Sequence, residues 1–94
     1  MATELGALPG GDLVLRGIED LRQGRTTAEA LLVLIGRPRL TALGVDIPAA
    51  GLHDDPEHEL YALLRVSEGD AAHARYNGLV RRLVSFERAL ACAA

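Results

Sequence analysis

The chain is expected to fold as an all-α protein: a bundle of four main helices plus one short helix, with the C-terminal helix the longest. Three observations carry this expectation. Among the 94 residues, 49 % are apolar, yet there is no Trp, one Phe and two Tyr, so the core has to be built from Leu, Val and Ala. Ala and Leu are strong helix formers, and no alternating run of β-branched residues is present to suggest a strand. Capping residues also recur where the orphan N–H and C=O groups of helix ends would need partners. A chain of this length supports one core, placed in a single helical domain at residues 12–94 behind a flexible N-terminal segment at residues 1–11.

After Pro9-Gly10-Gly11, Asp12 is the expected N-cap of a helix reaching Gln23, with Val14, Ile18 and Leu21 at helical spacing and Gly24 as its stop. Gly17 inside it works against helix formation. Thr26-Thr27-Ala28-Glu29 reads as a capping box opening a second helix to Ile35 or Gly36. The run Ala30 to Ile35 is apolar on every side, which places this helix at the centre of the bundle. Pro38 disfavours helix at Arg37 but suits a first turn, so a bend and a separate short helix to Leu43 are expected.

Residues 45–55 read as an irregular connection. Asp55-Pro56 then caps a fourth helix to Ser67 whose buried stripe is expected to be Leu60, Leu63 and Leu64. Gly69 and Asp70 separate it from the last helix, Ala71 to Cys92.

Formal net charge is −3, and all ten basic side chains are Arg. The charge is uneven: residues 71–94 hold Arg75, Arg81, Arg82 and Arg88 against Glu87 alone. No stretch approaches the roughly 20 apolar residues of a membrane span. The N-terminus carries Glu4 and no early Arg or Lys, unlike a signal or transit peptide, so a cytoplasmic location is expected. Cys92 is the lone cysteine, which excludes an intramolecular disulfide.

The most informative pattern is Ala72, Tyr76, Leu79, Leu83, Phe86 and Leu90, a heptad-like seam on the last helix. It serves either internal packing or pairing with a second copy, and Val80 and Val84 widen it enough for both. In a parallel pair Arg82 would face the partner's Glu87, so the interface candidates are Tyr76, Leu79, Arg82, Leu83, Phe86, Glu87 and Leu90. Arg81 and Arg88 point away from the seam, whereas Arg75 and Arg82 border it.

An alternative reading is a small DNA-associated regulator. It would use helices around residues 27–43, where the bend at Arg37-Pro38-Arg39 imitates a helix-turn-helix, or the Arg-bearing last helix. Arg37, Arg39, Arg81 and Arg88 are its anion- or partner-binding candidates, although the acidic net charge has the wrong sign for a dedicated nucleic-acid binder.

A minor reading concerns His53-Asp54-Asp55-Pro56-Glu57-His58-Glu59, rich in metal-ligating types but without diagnostic spacing. Helix N-terminal chemistry accounts for its carboxylates, leaving His53 and His58 as the pair to watch. Ser67, Ser85, His73 and Cys92 cannot be joined into a nucleophile, base and orienter, and no Gly-rich phosphate loop is present. The sequence therefore points to a non-enzymatic interaction module without a cofactor, self-associating as a homodimer through its C-terminal helix or binding another protein.

Overall fold

Residues 5–48 and 54–93 are described by a computed structural model. They form a 3-10 turn at Leu5–Ala7, then α1 (Gly11–Arg22), α2 (Ala28–Ala42), α3 (Pro56–Glu68), a second 3-10 turn at Gly69–Ala71, and α4 (Ala72–Ala93). Among the described residues there is no strand, and no helix is long and apolar enough to cross a membrane. Within the N-terminal segment, Leu5 and Leu8 pack against the core, while residues 1–4 lie outside the described part.

Two of the expected caps are displaced. Helix α1 begins at Gly11 behind Gly10, so Asp12 sits inside the first turn instead of capping it, and its carboxylate accepts from Arg82 at 2.9 Å. Gly24 does close the helix: at φ 74° it takes the left-handed conformation that lets the Arg25 N–H return to the Asp20 carbonyl at 2.8 Å. For α2 the cap lies one residue later than the capping box implies. Thr27 Oγ1 accepts from the Ala30 N–H at 3.1 Å and donates to Asp20 at 2.6 Å, while Glu29 reaches across to Arg16 at 3.7 Å. Buried Asp20 beneath the loop selects Thr27 over Thr26, which no local pattern encodes.

The separate short helix after Pro38 does not exist. Helix α2 runs unbroken from Ala28 to Ala42 with Pro38 inside it. Proline removes one helical N–H and crowds the preceding turn, but continuation keeps Leu40 fully buried, and its carbonyl accepts from the Val45 N–H at 2.9 Å. Tertiary packing overrides the local preference.

Helix α2 occupies the centre, touching α1, α3 and α4. Leu31, Leu32, Val33 and Leu40 are fully buried there, joined by Val14 from α1, Leu60 from α3, and Leu79 and Phe86 from α4. Gly17 proves to be a packing residue: a Cβ there would lie 2.4 Å from the Glu29 carbonyl oxygen and 2.5 Å from Val33 Cγ2, so its absence lets α1 and α2 cross closely. After α2, Gly44 turns the chain and Val45 and Ile47 fold back onto the core. At the start of α3, Asp55 accepts from the His58 N–H at 3.1 Å with Pro56 in the first turn.

Candidate protein-docking site

The seam of α4 faces inward. Ala72, Leu79, Leu83, Phe86 and Leu90 are buried in the protein's own core, and Tyr76 is half-buried against it. Tyr76 meets Tyr61 of α3 edge to face at 5.9 Å, and Tyr61 meets His73 at 6.4 Å, so these rings join α4 to α3. Burial, followed by the carboxylates of Glu57 and Asp55, raises the Tyr76 hydroxyl above its usual value. Of the apolar interface candidates, half-buried Tyr76 alone keeps exposed surface; the other four are buried within the protein's own core.

The charged members of that set are committed as well. Arg82 bonds Asp12 across to α1 at 2.9 Å. For Asp12, partial desolvation works against ionisation, but Arg82 and the backbone outweigh it and hold the carboxyl below its ordinary value. Glu87 is half-buried over Gly36, its Oε2 3.1 Å from where a Cβ on that glycine would stand. Burial pushes its pKa up, and the nearby Arg39 pulls it partly back.

Leu63 is the main departure on α3. The buried stripe is Leu60 and Leu64 alone, while Leu63 is 36 % exposed and Val66 one turn on is 88 % exposed. Glu59, Ala62, Leu63 and Val66 share one face of α3. With Thr26 from the loop before α2 and the buried Leu31 of α2 they line an open groove of about 320 Å³. The groove arises because α3 turns only a narrow edge into the bundle. At about 100° per residue, Leu63 lies some 60° from Leu60 and 100° from Leu64 around the helix. The signal for this surface was Val66, a β-branched residue at a helical position that no buried stripe includes.

Arg37, Arg39, Arg81 and Arg88 are all exposed and, among the described residues, make no ion pair within 4.0 Å. They remain two sets on two helices: Arg37 and Arg39 in the last turns of a continuous α2, Arg81 and Arg88 about 10 Å apart along α4. With α2 continuous from Ala28 to Ala42, no turn separates two helices there, and the helix-turn-helix imitation falls. Arg25 instead binds Asp20 through Nε and Nη2 at 3.1 and 2.8 Å. The Thr27 hydrogen bond, then the Arg25 bonds and charge, lower the Asp20 pKa against a contribution from burial.

His58 is exposed on the first turn of α3, and His53 lies outside the described residues. Among the described residues no cluster of three or more His, Cys, Asp or Glu side chains is placed to hold a metal ion. Ser67 donates back to the carbonyls of Leu63 and Leu64, His73 bonds Asn77 at 3.2 Å, and Cys92 is exposed near the end of α4. No protein-family model, curated protein or solved structure matches the chain.

Proposed function

We propose that the protein is a non-catalytic interaction module that binds another protein through the outer face of α3. The observation that carries this reading is the exposure of Val66 beside Leu63 on a concave apolar groove. An exposed helical position normally takes a residue with better helix propensity, and Val66 in the last turn of α3 gives up both propensity and burial. Single exposed apolar residues are common, but two of them flanking Ala62 over a floor of Leu31 form a contiguous concave surface suited to an apolar side chain. Covering a valine contributes about 1.5–3 kcal/mol, which is one to two decades of affinity at about 1.4 kcal/mol per decade.

Photo-crosslinking from position 66, compared with Ser85 on the outside of α4, tests the reading in cells. The expected result is a discrete protein adduct from position 66 that Ser85 does not give. Excess wild-type protein should compete it away, and excess Leu63→Asp should not. Identical adducts from both positions, or equal competition by the variant, would remove the basis for the proposal.

A further inference from the structure

We infer that the tyrosine pair at the junction of α3 and α4 binds a methylated or quaternary ammonium group. This site is separate from the α3 groove: at about 100° per residue, Tyr61 stands roughly 160° around the helix from Leu63. The chain holds no Trp, one Phe and two Tyr. Phe86 is spent in the core, whereas both tyrosines are half-buried at this one place with exposed His73 beside them. The core cluster apart from Phe86 is aliphatic, so the remaining rings are gathered where they reach solvent.

Tyr61 meets both of its ring neighbours at a steep angle instead of stacking on them. The Tyr61 and Tyr76 centroids are 5.9 Å apart with planes at 63°, and Tyr61 and His73 are 6.4 Å apart at 67°. A cation is attracted to an aromatic ring within about 6 Å of its centroid. At a centroid spacing of 5.9 Å, one cation seated in the angle between Tyr61 and Tyr76 lies within that range of both rings.

The charge at the pair has the complementary sign. Glu57 precedes Tyr61 by four residues on the same side of α3. The charges acting on the Tyr76 hydroxyl are the carboxylates of Glu57 and Asp55. Asp55 accepts from the His58 N–H with one oxygen. Glu57 is exposed and, among the described residues, makes no ion pair within 4.0 Å. The nearest arginines in sequence are Arg65, one turn past Tyr61 in the direction away from Glu57, and Arg75, next to Tyr76. Neither is among the charges acting on the Tyr76 hydroxyl.

Hydration decides which cation suits such a place. A bare ammonium is strongly held by water, and rings that are themselves half-wet replace little of that shell. Methyl groups loosen the hydration and add apolar contact, which is why aromatic side chains recognise quaternary ammonium ligands.

The test titrates the full chain with choline, with its neutral isostere 3,3-dimethylbutanol, and with paired short peptides carrying trimethyl-lysine or plain lysine. Backbone amide shifts locate the contact. The inference expects choline to bind at least about tenfold more tightly than the isostere, with shifts centred on residues 57, 61, 73 and 76. Tyr61→Phe keeps the ring and should bind choline as wild type does, while Tyr61→Leu should weaken it at least about tenfold. Glu57→Gln, an exposed change that leaves the rings in place, should weaken it about two- to fivefold.

Tighter binding of the trimethyl-lysine peptide than of choline would support the site and assign the cation to a modified protein; the reverse would support it with a free amine as the source. Equal binding of choline and its isostere, or of the two peptides, would overturn the inference in favour of an unselective surface. Choline binding unchanged in both Tyr61→Leu and Glu57→Gln, or no saturable shift at these residues with any probe, would also overturn it.

Discussion

The seam of α4, open in sequence to internal packing or to pairing, is buried, while Leu63 of α3, expected in the core, lies at the surface. Spacing of 4, 3, 4, 3, 4 on α4 fits either internal packing or a dimerisation stripe, and Leu79, Leu83 and Phe86 are spent inside the molecule. Leu63 reads as a core residue of α3, but it lies at the surface beside a nearly bare Val66. Periodicity reports which side chains share a face; what that face meets depends on how many helices surround it. Helix α4 packs along α2 and α3 and also touches α1. Helix α3 turns the Leu60 and Leu64 edge to α2 and leaves the adjoining side uncovered.

The largest expected effect lies on the α4 side of this contrast. Phe86→Ala removes the largest fully buried side chain and should cost about 3–5 kcal/mol, read by urea denaturation. That approaches the whole stability of a small domain, at about 5–15 kcal/mol. Loss of a dimer with little loss of stability would instead return the seam to the role of an interface.

Next comes the buried polar tie that sets the start of α2. Asp20→Ala strips the acceptor from both Thr27 and Arg25 and should cost about 1–3 kcal/mol. For the intact protein the pH dependence has a definite sign. The native Asp20 pKa is lowered, so its stabilisation is fully present above the ordinary aspartate value of 3.8 and is lost as pH falls through the lower native value. Asp20→Ala should remove that part of the acid sensitivity, seen in melts across the acidic range.

Val66→Ala should sit at the other extreme. Its stability should be unchanged or raised by up to about 0.5 kcal/mol, since alanine improves helix propensity and no native contact is lost. A clear loss of stability would place Val66 in the core and dissolve the groove. The subtlest effect belongs to Glu87, whose native pKa is raised by burial. Its ionisation therefore opposes folding at neutral pH, and that penalty disappears as pH falls below the ordinary glutamate value of 4.5. Glu87→Gln should melt higher than wild type at pH 7, with the gap closing under acid.

Much of the fold was legible because caps are local. Gly24 stops α1, Asp55-Pro56 opens α3 and Gly69 ends it, each through chemistry contained within a few residues. The apolar run of α2 likewise announced its central place. Errors arose where a distant partner decides. Asp20 moves the α2 cap from Thr26 to Thr27, and the burial of Leu40 carries α2 through Pro38. Gly17 looked like a weakness in α1 because its reason, the backbone of α2, lies on another helix. The α3 face was missed for the same reason: Val66 stands off the expected stripe, but nothing within residues 56–68 states that Leu63 beside it goes uncovered.

Thiol labelling of single-cysteine variants tests the contrast between the buried seam and the exposed α3 face most directly. In a Cys92→Ser background, Val66→Cys and Leu83→Cys are labelled in native buffer and again in denaturant. The account predicts that cysteine 66 reacts in the folded protein at close to its denatured rate, while cysteine 83 is slowed by orders of magnitude and labels only when the core opens. Prompt labelling at 83 together with protection at 66 in the folded monomer would contradict it.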